Sequence, residues 1–212
     1  MAQYFHVHPT HPQPRLIRRA AEIVRGGGLI AYPTDSCYAL GCHLGDAQAQ
    51  QRLRRARGMD DKHHLTLMCR DLSEIATYAI LDNVQFRMLR LATPGSYTFI
   101  LRATREVPRR LQHPRRKTIG VRVPAHAAAQ ALLAELGEPM LSSTLILPGA
   151  QAPLSDAAEI RAALEHALDL VLDCGSCGTE PTTVIDLTGE APLVLRQGRG
   201  TLGIFGHAAA LC

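Results

Sequence analysis

The sequence predicts an α/β or α+β fold, built on one sheet with flanking helices. Two observations carry this prediction. Segments with helical spacing of apolar residues alternate with short apolar segments in the first half, and strand-like segments accumulate later. No internal repeat, low-complexity linker or shift in composition divides the 212 residues, and 46% of them are hydrophobic. We therefore expect a single domain over residues 1–212 with a substantial core.

In the first half, helices are predicted where apolar residues recur at helical spacing beside a capping signal. Asp46 and Asp71 stand before two of these segments as N-caps, and the helix over residues 83–91 is expected to turn Val84, Met88 and Leu91 inward. The predicted helices span residues 14–25, 47–57, a short segment from 71, and 83–91. The predicted strands span residues 29–32, 65–69 and 97–101.

In the second half, residues 102–117 hold two prolines and many arginines, so we expect mostly loop. Gly137 ends a helix, and Asp156 with Glu159 forms a capping-box pair that opens another. The predicted helices span residues 124–136 and 156–166. The predicted strands span residues 118–123, 139–147, 168–172, 183–187 and 193–195.

Gly198 begins a G-x-G-x-x-G pattern, which also occurs in dinucleotide-binding proteins. Too few residues follow it for the helix and second strand that such a site needs. We therefore expect a flexible C-terminal loop that carries Arg199.

The polar corner Pro33-Thr34-Asp35-Ser36 is the first candidate for a functional site. It follows a predicted buried strand, and proline with short polar side chains makes a stiff turn. α/β proteins commonly place ligand-binding groups at the end of such a strand. An ordinary turn would have the same composition, so both interpretations stay open at this point.

Positive charge is unevenly distributed and forms two clusters, and nearly all of it is guanidinium, because the chain has only two lysines. Arginine suits bidentate contacts with phosphate and carboxylate, so the clusters favour an anionic ligand such as a nucleotide or RNA; a solvated surface is the alternative. An aromatic content of 4% without tryptophan argues against base stacking on single strands. The first cluster is Arg52, Arg54, Arg55 and Arg57. The second is Arg102, Arg105, Arg109, Arg110, Arg115, Arg116 and Lys117.

The six cysteines are expected to be free thiols, because the composition and the lack of a secretory signal indicate a cytoplasmic protein. Cys174 and Cys177 have the spacing of a redox or zinc pair, but no second pair follows them. We therefore expect no metal held by protein side chains. No apolar segment is long enough to cross a membrane, so no membrane partner is expected.

Five motifs in order resemble the YrdC-like superfamily, and the similarity is greatest to its YciO subgroup. It covers residues 15–198, which we take as the core of the domain. The subgroup is similar in YALGC from Tyr38, TLMCRDL from Thr66 and GEPMLS from Gly137. The five motifs are PTDSxYALG from Pro33, PGxxT from Pro94, IGVRVP from Ile119, TTVIDL from Thr182 and RxG from Arg196.

The resemblance implies a twisted, open mixed α/β sheet with a concave basic face. It also implies a threonylcarbamoyl-adenylate synthase, a nucleotidyltransferase that makes threonylcarbamoyl-AMP and pyrophosphate from L-threonine, bicarbonate and ATP for tRNA modification. ATP is then a substrate that comes with Mg²⁺, no organic cofactor is needed, and no protein nucleophile is required. The residues implied for threonine are Ser36, Arg122, Thr144 and Thr182. Those implied for the nucleotide are Arg55, Arg57, Thr118 and Arg196.

Two departures from the synthase pattern fall on the nucleotide side. Ile146 stands where the synthases carry an asparagine that hydrogen-bonds ATP, and Arg55 stands in place of a lysine. Weak or altered activity is therefore one expectation. A second is a non-catalytic protein that binds double-stranded RNA or tRNA through the basic face, with residues 102–117 against the phosphates. A third is a small-molecule sensor that keeps the threonine pocket.

Overall fold

A computed structural model of the chain describes residues 1–59 and 64–209. Eleven strands of this described part form one mixed sheet, with six α-helices and a C-terminal 3₁₀-helix. The strands are β1 (Gln3–His6), β2 (Ile30–Tyr32), β3 (Ala39–His43), β4 (Thr66–Met68), β5 (Ala79–Ile80), β6 (Tyr97–Ala103), β7 (Thr118–Arg122), β8 (Met140–Thr144), β9 (Leu170–Asp173), β10 (Thr183–Asp186) and β11 (Leu193–Arg196). The helices are α1 (Pro14–Arg25), α2 (Ala47–Arg57), α3 (Leu72–Tyr78), α4 (Asn83–Ala92), α5 (Ala127–Leu136), α6 (Ala157–Leu164) and the 3₁₀-helix (Leu202–Ala209).

The sheet has the order β1-β9-β2-β3-β8-β4-β7-β6-β10-β11, with β5 paired to β6 outside this path. Four neighbouring pairs, β1/β9, β2/β9, β4/β7 and β6/β10, are parallel, and the other pairs are antiparallel. The order begins at β1 and ends at β11, so the sheet is open. This mixed sheet confirms the predicted fold class.

Apolar cores lie on both faces of the sheet because neighbouring residues of a strand point to opposite sides. On β2, Ile30 and Tyr32 belong to one core, which α1 and α5 cover through residues such as Ala20 and Leu132. Ala31 belongs to the other core, which α2, α3, α4 and α6 cover. No helix of residues 1–59 and 64–209 is long and apolar enough to span a membrane.

Capping explains why the helix boundaries lie close to the predicted ones. Asp46 accepts hydrogen bonds from the backbone N–H groups of Gln48 and Ala49, and α2 ends at Gly58 in the left-handed conformation. Asp156 likewise accepts two backbone hydrogen bonds at the start of α6. Such local signals locate helix ends without knowledge of the tertiary structure.

The predicted inward face of α4 is wrong in part. Val84 and Leu91 are exposed by 63% and 65%, whereas Met88, Leu89 and Ala92 are buried. The helix has apolar residues on more than one face, so its packing against the sheet, and not its periodicity, selects the buried face.

The C-terminal segment is more ordered than the expected flexible loop. Gly200 lies against the ring of Tyr97, so close that a Cβ would approach the ring to 2.4 Å. Phe205, in the 3₁₀-helix, is buried and contacts the same ring edge-on, with the centroids 5.8 Å apart. Two aromatic rings therefore fix the segment to β6.

Candidate functional site

A cleft of about 220 Å³ lies over strands β4, β6, β7, β8 and β10. The polar corner after β2, the end of α2 and the end of β11 complete its wall. Four guanidinium groups line it, and none of its described lining residues carries a carboxylate. The cleft is therefore suited to an anionic ligand. The four arginines are Arg57, Arg116, Arg122 and Arg196.

Hydroxyl groups line the cleft beside the arginines, and three of them, Thr118, Thr144 and Thr182, are among the predicted site residues. A hydroxyl both donates and accepts hydrogen bonds, so a row of them can bind carboxylate, hydroxyl or phosphate oxygens. The lining hydroxyl residues are Thr34, Thr66, Thr98, Thr118, Ser142, Ser143, Thr144 and Thr182.

The polar corner presents Thr34 and Cys37 to the cleft rather than Ser36. Ser36 is fully buried, and its Oγ lies 3.1 Å from Thr34 Oγ1. Thr34 Oγ1 also accepts hydrogen bonds from the backbone N–H groups of Ser36 and Cys37 and donates to the Cys37 carbonyl at 2.7 Å. In this corner Ser36 stabilises the turn, and Thr34 is the hydroxyl that reaches the cleft.

Arg122 forms a buried ion pair with Asp35 of the same corner. Arg122 Nη2 donates to Asp35 Oδ1 at 2.7 Å, and the two side chains are exposed by only 6% and 13%. Asp35 also accepts hydrogen bonds from Ser96 Oγ and from the Ala125 N–H. Burial acts to raise the pKa of Asp35, but the Arg122 charge and these hydrogen bonds hold that pKa below its usual value.

Arg122 also lines the cleft. Its Nε is buried and has no hydrogen-bond partner among the residues described. A buried N–H without a partner costs free energy, and a ligand oxygen would remove that cost. An arginine in the cleft wall with one unpartnered N–H is consistent with an acceptor ligand there. Asp35 is therefore one partner of this guanidinium, and its Nε has none within the described part of the chain.

Thr182 and Arg196 are in contact, although the family motifs assign them to different substrates. Arg196 donates from Nε to the Thr182 carbonyl at 3.0 Å and from Nη2 to Thr182 Oγ1 at 3.3 Å. Thr182 Oγ1 in turn lies 2.9 Å from Thr98 Oγ1. Burial lowers the pKa of Arg196, but a guanidinium remains protonated at neutral pH.

The two arginines predicted for phosphate are not equivalent. Arg57 lines the cleft, where it donates from Nε to Ser143 Oγ at 3.2 Å and from Nη1 to the carbonyl of Ile146. Arg55 is exposed on α2 and is not among the described residues that line the cleft. The side chain of Ile146 lines the cleft but offers no hydrogen bond there.

The second arginine cluster is divided among three environments. Arg116 reaches the cleft and pairs with Asp186 at 3.2 Å. Arg109, Arg110 and Lys117 line a separate cavity. The other three members lie exposed, in neither hollow: Arg102, Arg105 and Arg115.

The described cysteines are all free thiols, namely Cys37, Cys42, Cys69, Cys174 and Cys177, while Cys212 lies outside the described residues. Burial raises the pKa of Cys174 to about 12 and that of Cys177 to about 11. Burial also raises the pKa of Cys37 in the cleft wall. Thiols with raised pKa values are poor nucleophiles. Within the described part of the chain, no three histidine, cysteine or acidic residues are grouped to hold a metal ion.

Sequence reasoning gave no role to Asp35 or Thr98, although both lie in the quoted motifs. Asp35 is the counter-ion of Arg122, and Thr98 fixes the hydroxyl of Thr182. The signal available was the place of Asp35 in the polar corner and of Thr98 near the start of a predicted strand.

Comparisons with protein families, known sequences and solved structures all match the same family. The family model Sua5_yciO_yrdC, described as "Telomere recombination", matches residues 22–198. The chain is 56% identical over 205 residues to the uncharacterized protein YciO of Escherichia coli strain K12, covering 97% of this chain and all of the relative. The crystal structure of E. coli YciO superposes with a TM-score of 0.93 over 97% of this chain and 100% of that one.

Two more distant relatives are named by activity or ligand. A protein named threonylcarbamoyl-AMP synthase from Chromobacterium violaceum is 38% identical over 192 residues, covering 89% of this chain and 96% of the relative. The crystal structure of P. abyssi Sua5 complexed with L-threonine superposes with a TM-score of 0.84 at 27% identity. This match covers 92% of our chain and 57% of the P. abyssi chain.

Proposed function

The chain belongs to the Sua5/YciO/YrdC family, and we propose that it is a synthase of the threonylcarbamoyl-adenylate type with weak or altered nucleotide use. It would join L-threonine, bicarbonate and ATP, release pyrophosphate and supply threonylcarbamoyl-AMP for tRNA modification. The observation that carries the proposal is a cleft lined by hydroxyls and four guanidinium groups, one of which, Arg122, has a buried Nε without a partner among the described residues.

The threonine end of the site is assigned to Arg122, Thr144 and Thr182, with Thr34 as the hydroxyl of the corner. Asp35 holds Nη2 of the Arg122 guanidinium, and we assign the substrate carboxylate to the rest of this cleft-lining group. Ser36, the first choice for this corner, contributes by bonding to Thr34. A relative in complex with L-threonine supports the assignment of the amino acid.

The nucleotide end is assigned to Arg57, Thr118 and Arg196, with Arg116 as an added candidate from the loop wall. In the proposed reaction the threonine amine and bicarbonate give a carbamate and water, and the carbamate oxygen attacks the α-phosphorus of ATP while pyrophosphate leaves. The arginines would offset the charge of the phosphates, and Mg²⁺ would come with ATP. Ile146 and the exposed Arg55 are the reasons to expect weaker ATP binding.

A second candidate is a protein that binds double-stranded RNA or tRNA without catalysis. The exposed Arg102, Arg105 and Arg115 favour it, because exposed guanidinium groups can contact backbone phosphates. RNA binding should then weaken steeply as salt rises. The two functions are compatible in one molecule.

Isothermal titration with L-threonine, with and without ATP, tests the proposed site. We expect threonine binding to the unmodified protein and a tenfold to hundredfold loss of affinity in Arg122→Gln, because a charge-assisted hydrogen bond is removed. Arg122→Lys keeps the positive charge beside Asp35 but lacks the bidentate guanidinium group. If the glutamine variant does not fold, the loss of threonine affinity is measured in Arg122→Lys instead. Arg19→Gln, in an exposed pair on α1, is the control. Threonine that does not bind at millimolar concentration, with or without ATP, would contradict the proposal.

A further inference from the structure

A second cavity of about 330 Å³ lies between α2 and the loop that connects β6 to β7. It shares His64 and Leu65 with the wall of the cleft, but the loop contributes different side chains to each hollow. His113 and Arg116 line the cleft, whereas Arg109 to Gln112, Pro114 and Lys117 line the cavity. The loop therefore separates the cleft from the cavity and contributes basic side chains to both.

The cavity gathers cations around one hollow. Arg109, Arg110 and Lys117 line it from the loop, and Arg54 lines it from α2. No aspartate or glutamate is among its described lining residues. The three cations from the loop repel each other, and an anion bound between them would relieve that repulsion.

Arg110 is held in place by neutral groups. Its Nη2 donates to the carbonyls of Gly45 at 3.0 Å and Leu44 at 3.3 Å, and its Nε donates to Gln50 Oε1 at 3.3 Å. Gln50 is buried and fixed by its own bond to the Leu44 carbonyl at 2.9 Å. The guanidinium is thus oriented in advance while its charge stays uncancelled, which is the arrangement that favours an incoming anion.

Lys117 lies where the loop meets β7 in a conformation that lysine rarely adopts, with φ at +54°. Its backbone is fixed on both sides, because its N–H donates to the His113 carbonyl and its carbonyl accepts from the Ala103 N–H, both at 2.9 Å. The turn that places Lys117 beside Arg109 and Arg110 is therefore built into the fold.

We propose that this cavity is a second anion site, distinct from the cleft, which binds a compact phosphate-bearing ligand such as pyrophosphate. The cations surround a hollow, as a small ligand requires, and do not run along an open surface, as a duplex backbone would. The arginines suited to such a surface, Arg102, Arg105 and Arg115, lie outside the cavity. This inference does not depend on the reaction proposed for the cleft.

Titration calorimetry with inorganic pyrophosphate tests the proposal through the number of sites. The unmodified full chain is expected to bind two pyrophosphates, one in each hollow. Arg109→Gln/Lys117→Gln should lose the cavity site, with at least a tenfold fall in its affinity for each cation removed. Arg57→Gln/Arg196→Gln should lose the cleft site alone, so failure of the cleft and failure of the cavity are distinguishable.

Two controls make the result decisive. Arg102→Gln/Arg105→Gln removes the same charge outside both hollows and should keep both sites. Arg109→Lys/Lys117→Arg keeps the charges and should also keep both sites. Unchanged pyrophosphate stoichiometry and affinity in Arg109→Gln/Lys117→Gln would overturn the proposal. If that variant instead loses binding of an RNA duplex of about 16 base pairs while keeping both pyrophosphate sites, the cations serve RNA and the proposal also fails.

Discussion

Replacing Asp35 with asparagine is the sharpest test of how the corner after β2 is stabilised. The Asp35→Asn side chain would keep an oxygen for the Ala125 N–H and would remove the charge that faces Arg122. The Arg122 side chain, only 6% exposed, would then hold a positive charge with no carboxylate beside it.

The expected cost follows from the burial of this pair. Breaking a buried ion pair by removing one partner costs about 3–5 kcal/mol in the free energy of unfolding. The amide oxygen of the variant can still accept one hydrogen bond, so we expect the lower end, about 3 kcal/mol. Glu22→Gln, in the exposed pair with Arg19, should change stability by about 0.5 kcal/mol or less.

Urea unfolding of both variants measures the difference, and pH gives an independent check. The pKa of Asp35 is lower in the folded state than in the unfolded state, so its contribution is present above pH ~4 and is lost as pH falls through the folded-state value. The difference in the free energy of unfolding between the unmodified protein and Asp35→Asn should therefore become smaller below pH ~4. The reasoning would be refuted if Asp35→Asn lost no more stability than Glu22→Gln, or if the stability difference between Asp35→Asn and the unmodified protein did not depend on pH.

Two further predictions concern the cleft and the packing of the corner after β2. Ile146→Asn adds an amide to the cleft and should raise ATP affinity by about two- to tenfold, the value of one neutral hydrogen bond. Ile146→Leu should leave the ATP affinity, measured by titration calorimetry, unchanged. An equal rise in ATP affinity in both variants would show that the introduced amide does not act through a hydrogen bond to ATP. Gly178→Ala places a Cβ 2.6 Å from the Ser36 carbonyl and should cost about 1–3 kcal/mol in thermal unfolding. Gly189→Ala, whose nearest contact would be 3.6 Å, should be neutral, and equal melting temperatures for the two would count against a tightly packed corner.

The helices were predictable because their ends are marked by local chemistry. Asp46, Asp71 and Asp156 each bind backbone N–H groups at a helix start, and Gly58 and Gly137 end helices in the left-handed conformation. The strands β1, β3 and β5 had no such marker. β1 pairs with β9, which lies far away in the sequence, so its strand character depends on tertiary structure.

Within the cleft, the sequence indicated most of the elements that form the wall but could not select between neighbouring residues. Arg55 and Arg57 are two positions apart on one helix and point about 200° apart, so only one of them can face the cleft. In the corner, the choice between Thr34 and Ser36 depends on which hydroxyl the turn directs inward. The Arg122 pair with Asp35 spans 87 positions, so only the fold reveals it.

The central claim is that the cleft joins threonine, bicarbonate and ATP, and pyrophosphate release measures it most directly. At high protein concentration with ATP, Mg²⁺ and bicarbonate, we expect pyrophosphate release that requires L-threonine and that falls at least tenfold in Arg122→Lys. Pyrophosphate release that is the same with and without threonine, or that is absent in both cases, would contradict the account.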